Sequence, residues 1–386
     1  MGSPAEEILP DDLLNRFRTR APDYDARNVF CHEDFDDLAS RGYLRLFCAE
    51  DDGGAALGMA EAVACQRRLA AAAPATALAV NMHLVWTAVA RLHEKLGDPS
   101  LGFILKEAAE GEVFAFGLSE PGNDAVLFDS ITIAEREVGG AYKFTGTKIF
   151  TSLSPVWTRL GVFGKSEGGG EPQLVHGFIT RGSTGVEILA DWNTVGMRAT
   201  QSHTTRLNGV VIPSERIFRH LPVGPNRDPF VFAVFAAFET LISAVYAGIA
   251  DRALELAVQA PLARTPGMDG VPVASRPAIR MTVAEAAMKW EALDAHLRLL
   301  AADLDDGVDH EDQWFAKLVS LKTHATGAAR ELVDAAVSLS GGRGYFTESE
   351  ISRLSRDVTA GTFHPSTVES ARRTVANAWL GPEQQI

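Results

Sequence analysis

The sequence predicts a mostly α-helical protein with a β module in the middle of the chain. Apolar residues recur at helical spacing up to Gly111. From Val113 to Pro222 the chain instead consists of short runs of β-forming residues, bounded by Gly, Asn and Asp. Long segments with helical periodicity then return. We therefore expect three domains in the order α, β, α, at residues 1–112, 113–222 and 223–386.

The N-terminal region is predicted to be a set of helices. Breaks rich in Gly and Pro, at Gly53-Gly54, Pro74 and residues 97–99, divide it into separate segments. The predicted helices are residues 11–20, 33–42, 57–73 and 75–95.

The central module is predicted to be all β. Gly139-Gly140 separates the first two predicted strands and is typical of a hairpin turn. The even spacing of the runs favours a compact β-barrel. The predicted strands are residues 131–134, 142–145, 160–163, 175–179 and 204–207.

The C-terminal region is predicted to be a four-helix bundle with antiparallel helices. Between Pro229 and Ala250 the only charged residue is Glu239. The length of this nearly uncharged stretch approaches that of a membrane span. Its polar Thr240 and Ser243 favour a core helix instead. The predicted helices are residues 230–258, 278–304, 311–339 and 366–380, with an irregular link at 261–277.

Composition and charge exclude several classes of function. The chain has 386 residues, and 36 Lys and Arg against 50 Asp and Glu give a formal net charge of −14. This balance argues against nucleic-acid binding, which needs clustered positive charge. The cysteines Cys31, Cys48 and Cys65 lack the spacing of a metal site and suit buried free thiols in a reducing compartment. The acidic start of the chain shows no secretory signal, so we expect a cytoplasmic protein without a membrane segment.

Four motifs occur in an order that resembles the acyl-CoA dehydrogenase family of flavoproteins. With the α–β–α order, the resemblance extends from about Gly42 to the C-terminus. It implies one FAD per subunit, a homotetramer or dimer, and removal of an α-proton and a β-hydride from an acyl thioester. The motifs are GLSEPGND at 117–124, FTGTKIFTS at 144–152, GMRAT at 196–200 and SGGRGY at 340–345.

The resemblance assigns flavin contacts to Leu118, Ser119, Phe150 and Ser152. The hydroxyl of Ser119 would face the flavin pyrimidine ring, where negative charge accumulates on reduction. Phe150 stands where the family has Trp and keeps a flat apolar face, and Ser152 keeps the hydroxyl of the family's Thr. Taken alone, the same residues would suit a turn and a half-buried strand.

A second set of cofactor contacts is expected from Gly341, Gly342 and Arg264. The resemblance places this glycine-rich turn against the FAD of a neighbouring subunit, and glycine permits close backbone approach. A helix C-cap would also favour glycine there. Arg264 stands near the position of the family's pyrophosphate-binding Arg.

Glu239 is the expected catalytic base. Many family members place a Glu directly before a Gly-Thr pair, but here Ala360 precedes Gly361. Isovaleryl-CoA dehydrogenase carries its Glu on the first long helix of the C-terminal domain, and Glu239 aligns with that position. A lone carboxylate in an apolar run is costly and is tolerated mostly where it is used. The alternative is a salt bridge, for example to Arg280 or Lys317.

The expected reaction is FAD-dependent α,β-dehydrogenation of an acyl-CoA or acyl carrier protein thioester. Electrons would pass to an electron-transfer flavoprotein or another acceptor. The loop at 122–124 is shorter than in the family. His364 lies in an unusual Phe-His-Pro segment, where it could be a core residue, a substrate contact or a proton donor. These departures leave two alternatives: a flavin-dependent monooxygenase or oxidase on the same fold, or an inactive helical scaffold protein.

Overall fold

The computed structural model describes residues 3–125, 127–168, 170–266 and 268–382, and it confirms a mostly helical protein with a central sheet. The long predicted helices are all present, with ends displaced by a few residues. The short helix α10 was not predicted, because Ile351 and Leu354 are its only buried apolar residues. The α-helices are α1 (Pro4–Ile8), α2 (Asp11–Arg27), α3 (His32–Ser40), α4 (Met59–Ala72), α5 (Pro74–Lys95), α6 (Gly102–Ala109), α7 (Pro229–Leu262), α8 (Pro277–Asp306), α9 (Trp314–Ser340), α10 (Glu350–Asp357) and α11 (Val368–Leu380).

The strands form one mixed sheet in the order β6-β7-β3-β2-β4-β5-β8, and β1 pairs in parallel with β4. The predicted hairpin joins β2 to β3, and its Gly139 and Gly140 have φ angles of 80° and 85°. In the described strands no pair joins β6 to β8, so the strand pairing does not itself close the predicted barrel. The strands are β1 (Phe114–Gly117), β2 (Ile133–Arg136), β3 (Tyr142–Lys148), β4 (Arg159–Ser166), β5 (Gln173–Thr180), β6 (Val186–Ile188), β7 (Thr205–Ile212) and β8 (Ile217–Pro222).

Three strands, β1, β6 and β8, were not predicted. The β1 strand has four residues, the β6 strand has three and no fully buried residue, and the six-residue β8 buries only Leu221, so none shows a strong alternating pattern. Trp86 of α5 fixes the sheet against the N-terminal helices, since its indole N–H donates to the carbonyl of Ala115 in β1 at 2.9 Å. The Trp86 ring also fills the space above Gly161 of β4, where a Cβ would meet it at 2.2 Å.

Helix α7 is the core helix of both helical regions. It packs against α4 and α5 on one side and against α8 and α9 on the other. It is also long and apolar enough to cross a membrane, but 83% of its most apolar window is buried inside the protein. At Gly248 it crosses α4 so closely that a Cβ would lie 2.3 Å from the carbonyl oxygen of Arg67. The prediction of a core helix is therefore confirmed.

The remaining structural expectations concern the cysteines. Cys31, Cys48 and Cys65 are all buried free thiols, as predicted. Over the residues with described structure, no group of three or more His, Cys, Asp and Glu side chains could hold a metal ion.

Candidate functional site

The segments that follow β1 and β3 lie side by side and form one surface. The backbone N–H of Ile149 donates to the carbonyl of Ser119 at 2.9 Å. Leu118 is buried and Ser119 is half-buried, whereas the Phe150 side chain is 52% exposed. Phe150 has a φ of 57°, so the chain reverses locally at this residue. Together with the buried Ser152, these residues make up what we name the candidate flavin surface.

A row of buried hydroxyls extends from this surface into the β module. Ser152 Oγ and Ser202 Oγ are hydrogen-bonded at 2.8 Å, and Ser202 Oγ donates to Thr200 Oγ1, also at 2.8 Å. Thr200 belongs to the GMRAT motif, so this row connects two of the four motifs of the sequence. The hydroxyl of Ser152 is thereby held in a fixed position.

Two polar atoms beside Phe150 have no partner in the described part of the chain. They are the buried indole Nε1 of Trp192 and the buried hydroxyl of Thr151. The Trp192 ring stands edge-on to Phe150, with ring centroids 6.2 Å apart. An exposed aromatic face bordered by unused polar groups suits a planar ring system with polar edges. The candidate flavin surface therefore fits a flavin.

A buried ion pair supports this surface from below. The carboxylate of Glu120 accepts hydrogen bonds from Lys148 Nζ at 2.7 Å, Ser130 Oγ at 2.8 Å, and the backbone N–H groups of Ile131 and Thr132 at 2.9 and 3.0 Å. Burial alone would raise the pKa of Glu120, but the charge of Lys148 and these hydrogen bonds hold the pKa at about 2. Glu120 directly follows Ser119, so the ion pair fixes the segment that carries it. Sequence reasoning missed this pair, although a lysine within a β run was a visible signal.

The carboxyl group of Glu239 is enclosed within the protein. Its residue is only 1% exposed, and burial raises its pKa. Oε1 accepts hydrogen bonds from Ser366, from the backbone N–H at 3.2 Å and from Oγ at 2.9 Å. Oε2 is buried and has no partner among the described residues. The nearby positive charge is that of Lys322, not that of Arg280 or Lys317, the two salt-bridge partners considered from the sequence.

Lys322 of α9 holds the chain segment that carries His364. Its ammonium donates to the carbonyls of Gly361 at 3.1 Å, His364 at 2.9 Å and Ser366 at 2.9 Å. Burial lowers the pKa of Lys322. Sequence reasoning did not single out Lys322 or Ser366; a lysine in the apolar run of α9 was the available signal.

His364 packs against α7. Its Nε2 lies 2.8 Å from the hydroxyl of the buried Tyr246. Burial, with a further contribution from the charge of Lys322, lowers the pKa of His364 to about 3. The imidazole is therefore neutral at neutral pH, and it is tied to the helix core.

Two contacts connect the surroundings of Glu239 with the candidate flavin surface. Phe238 of α7 stacks on Phe116 of β1, with centroids 6.0 Å apart, and β1 leads directly into Ser119. On the other side, the Asp357 carboxylate accepts from the backbone N–H of Met197 at 2.6 Å, within the GMRAT motif. The structure thus connects α7 to the strand that leads into Ser119, and the end of α10 to the GMRAT motif. That Glu239 shares a site with the candidate flavin surface stays a prediction.

Arg264, Gly341 and Gly342 lie elsewhere. Arg264 Nη1 is 3.8 Å from the Cβ position of Gly341, so these residues do come together, and all three are exposed. They lie beyond the C-terminal end of α7, which is about 35 Å along the helix from Glu239. Within one chain they form a separate surface, and their contact with a neighbouring subunit's FAD stays a prediction.

Comparisons with known proteins find similarity to dehydrogenases, nitrososynthases and monooxygenases. Residues 240–369 match the family described as acyl-CoA dehydrogenase, C-terminal domain. YdbM of Bacillus subtilis (strain 168), provisionally named an acyl-CoA dehydrogenase, is 26% identical over 368 residues, covering 92% of this chain and 91% of YdbM. The L-evernosamine nitrososynthase of Micromonospora sp. is 26% identical over 378 residues, covering 94% and 87%. The dibenzothiophene monooxygenase of Mycolicibacterium goodii is 26% identical over 386 residues, covering 94% and 90%.

Solved structures share the whole fold. KijD3, in complex with FMN and a dTDP-linked amino sugar, superimposes with a TM-score of 0.88 at 26% identity, covering 100% of this chain and 96% of KijD3. The butyryl-CoA dehydrogenase of Megasphaera elsdenii superimposes with a TM-score of 0.84 at 20% identity, covering 98% and 99%. The fold is therefore shared by dehydrogenases and by enzymes of other activities.

Proposed function

Since the chain belongs to the acyl-CoA dehydrogenase family, we propose that it is a flavin-dependent monooxygenase built on that fold. It would use reduced flavin and O2 to oxygenate a small organic substrate. The motifs alone predict the dehydrogenase reaction, and a flavin-dependent monooxygenase or oxidase is the first of the two alternatives to it.

The observation that carries the proposal is that neither expected position offers a catalytic base that is open to a substrate. Ala360 occupies one position, and Glu239, at the other, is enclosed and hydrogen-bonded to Ser366. Removal of an α-proton from a thioester requires a base within hydrogen-bond reach of that proton. Oxygenation of a substrate does not need such a carboxylate, so the site is better suited to it.

Two of the relatives support the same choice, whereas YdbM carries the name of a dehydrogenase. Full-length similarity extends to a nitrososynthase and a dibenzothiophene monooxygenase, and the superimposed KijD3 structure contains FMN. We therefore propose a flavin cofactor, with FAD expected from the sequence motifs and FMN as the other form to be tested.

Residues of the candidate flavin surface have distinct roles in this proposal. A bound flavin would supply the two-electron chemistry and the activation of O2. Phe150 would cover one face of its ring, and Ser119 would donate a hydrogen bond to its polar edge. Ser152, whose proton goes to Ser202, would offer its Oγ as an acceptor. The Glu120–Lys148 pair would keep Ser119 in position.

We propose that aromatic side chains on α7 and its neighbours form the wall of the substrate site, which favours an apolar substrate. Half-buried phenylalanines on α7 pair with others on neighbouring elements: Phe238 stacks on Phe116, and Phe235 stacks on Phe128 at 6.1 Å and meets Phe315 edge-on at 5.1 Å. Aromatic faces bind apolar and planar molecules well. A compact apolar substrate suits this wall better than the phosphates of CoA do.

The second candidate is the dehydrogenase reaction with Glu239 as the base. It is favoured by one observation, which is that burial raises the pKa of Glu239. A raised pKa is what a carboxylate needs to take a weakly acidic proton. In that case the substrate would be an acyl-CoA or acyl carrier protein thioester, and an electron-transfer flavoprotein or another acceptor would reoxidise the flavin.

A single set of assays separates the candidates. The purified protein is supplied with chemically reduced FMN or FAD, O2 and a panel containing indole, dibenzothiophene and alkylamines, and products are identified by mass spectrometry. A parallel anaerobic panel offers acyl-CoAs with an artificial electron acceptor. Oxygenated products support the monooxygenase, whereas acceptor reduction with acyl-CoAs alone would establish the dehydrogenase. Failure to bind either flavin would leave the inactive scaffold.

A further inference from the structure

We propose that Glu239 is a positioning residue, which with Lys322 and Ser366 forms a buried lock that fixes the backbone of residues 361–366. The inference rests on the proposed function in one respect, because a monooxygenase leaves Glu239 without a role as base. It assigns Glu239 a role that acts through Ser366, not on the substrate.

The donors of Lys322 are fully used. An ammonium group has three N–H donors, and the carbonyls of Gly361, His364 and Ser366 accept all three at 2.9 to 3.1 Å. No donor is left for a direct bond to Glu239. The buried cation still requires a negative charge nearby, because an uncompensated buried charge is costly.

Ser366 connects the two charges. Its carbonyl accepts from Lys322, while its N–H and hydroxyl donate to Glu239 Oε1 at 3.2 and 2.9 Å. Its partly negative carbonyl oxygen therefore faces the ammonium, and its partly positive N–H and O–H groups face the carboxylate. Moving Ser366 would break contacts with both buried ions at once, and this makes the lock cooperative.

The lock is one of several anchors on the inner side of residues 361–366. His364 is hydrogen-bonded to Tyr246, and Gly361 is packed so closely that a Cβ would lie 2.9 Å from atoms of Tyr246 and Thr326. On the outer side Phe363 is 69% exposed. The segment is thus rigidly held from inside and presents an aromatic side chain outward.

The position of the segment gives the lock a function. It begins four residues after Asp357, whose carboxylate accepts from the backbone of the GMRAT motif. Hydrogen bonds continue from this motif through Thr200 and Ser202 to Ser152. Fixing residues 361–366 therefore fixes one border of the candidate flavin surface. The lock supplies preorganisation of the site before any ligand binds.

The roles of lock and base make opposite predictions for two mild variants. Glu239→Gln keeps the Oε1 acceptor for Ser366 but has no basicity. Ser366→Ala keeps a fully basic Glu239 but removes one of its hydrogen bonds. A matched control is Thr323→Val, which replaces a buried hydroxyl that has no partner among the described residues, one position from Lys322.

The experiment measures amide hydrogen exchange of residues 361–366 in the full-length protein. It also measures FMN affinity and turnover in the oxygenation assay described above. We expect exchange in Ser366→Ala to be more than about tenfold faster than in wild type. Exchange in Glu239→Gln should also rise, because the charge that compensates Lys322 is lost, and its turnover should fall only in step with the faster exchange. Thr323→Val should match wild type in both. Lys322→Met should show the largest effect, and if it does not fold, the two mild variants still decide.

Two results would overturn the lock. One is unchanged exchange of the segment in Ser366→Ala. The other is loss of turnover by about a hundredfold or more in Glu239→Gln without altered exchange, which is the behaviour of a catalytic base. Absence of oxygenation by the wild type would contradict the proposed function instead, and the exchange rates would still decide on the lock.

Discussion

Replacing Phe150 by Ala is expected to weaken flavin binding by about 50- to 100-fold while leaving the stability of the apoprotein nearly unchanged. The reason is the unusual exposure of this ring. Phe150 lies at a local chain reversal, and its side chain is 52% exposed although its neighbours Thr151 and Ser152 are buried.

The magnitude follows from the area that a ligand could cover. A phenylalanine side chain presents about 200 Å² of surface, and 52% exposure leaves about 100 Å² uncovered. Covering that area contributes about 2.5 kcal/mol at about 25 cal/mol per Å². Because the same area is already in contact with water in the apoprotein, its removal costs the unliganded fold little.

The assay is titration of the apoprotein with FMN and with FAD, followed by flavin fluorescence, with thermal unfolding of the apoprotein in parallel. Val138→Ala is the control, since Val138 is a fully exposed apolar residue at the β2–β3 turn. Phe150→Trp should bind flavin at least as tightly as wild type. Unchanged flavin affinity together with a clearly lower melting temperature would refute the reasoning, because Phe150 would then be a core residue.

Four further predictions concern stability and cofactor choice. Lys148→Met should lower the free energy of unfolding by about 3–5 kcal/mol in urea denaturation, because it leaves the Glu120 carboxylate buried without its counterion; a loss below about 1 kcal/mol would contradict this. The pKa of Glu120 is held at about 2 in the native chain, against an ordinary value of 4.5, so between these pH values the native chain binds fewer protons than the unfolded chain. The stabilising contribution of Glu120 is therefore complete above pH 4.5 and is lost as the pH falls toward 2. Glu120→Gln should flatten the dependence of the urea midpoint on pH in this window. Gly248→Ala should destabilise the fold by about 1–3 kcal/mol, because its Cβ would clash at the α4–α7 crossing. Gly327→Ala should stabilise the fold by about 0.5–1 kcal/mol, because a Cβ there would meet no atom within 4 Å. Equal effects of the two variants on the melting temperature would show that the crossing is not tight. Arg264→Ala should weaken binding of FAD but not of FMN, since only FAD has an adenosine diphosphate part; equal effects in the fluorescence titrations would argue against the predicted contact.

The fold was predictable from the sequence because long helices repeat their apolar pattern many times. Helix α9 and helix α7 were expected nearly over their full lengths. By contrast, β1 has only four residues, β8 buries only Leu221 and shows no alternation, and α10 buries only two apolar side chains. Their existence depends on pairing and packing with distant segments.

The site was predictable to the extent that its residues are adjacent in sequence. Leu118, Ser119, Phe150 and Ser152 could be grouped from motifs, and the structure brings them together. The partner of Glu239 could not be identified in the same way. The choice among Arg280, Lys317 and Lys322 depends on the rotation of one helix against another, which the apolar periodicity determines only coarsely.

The placement of α7 also bears on how the chain is synthesised. Helices α4 and α5 precede α7 by more than a hundred residues, yet α7 covers a large part of their apolar faces. A nascent chain leaving the ribosome therefore presents these faces to water until α7 has emerged. Such an interval of exposed apolar surface invites aggregation and makes the N-terminal half a natural client of chaperones that act during translation. For the same reason, a truncated chain that ends before Pro229 is expected to be insoluble, even though it contains all of the N-terminal helices and the whole sheet.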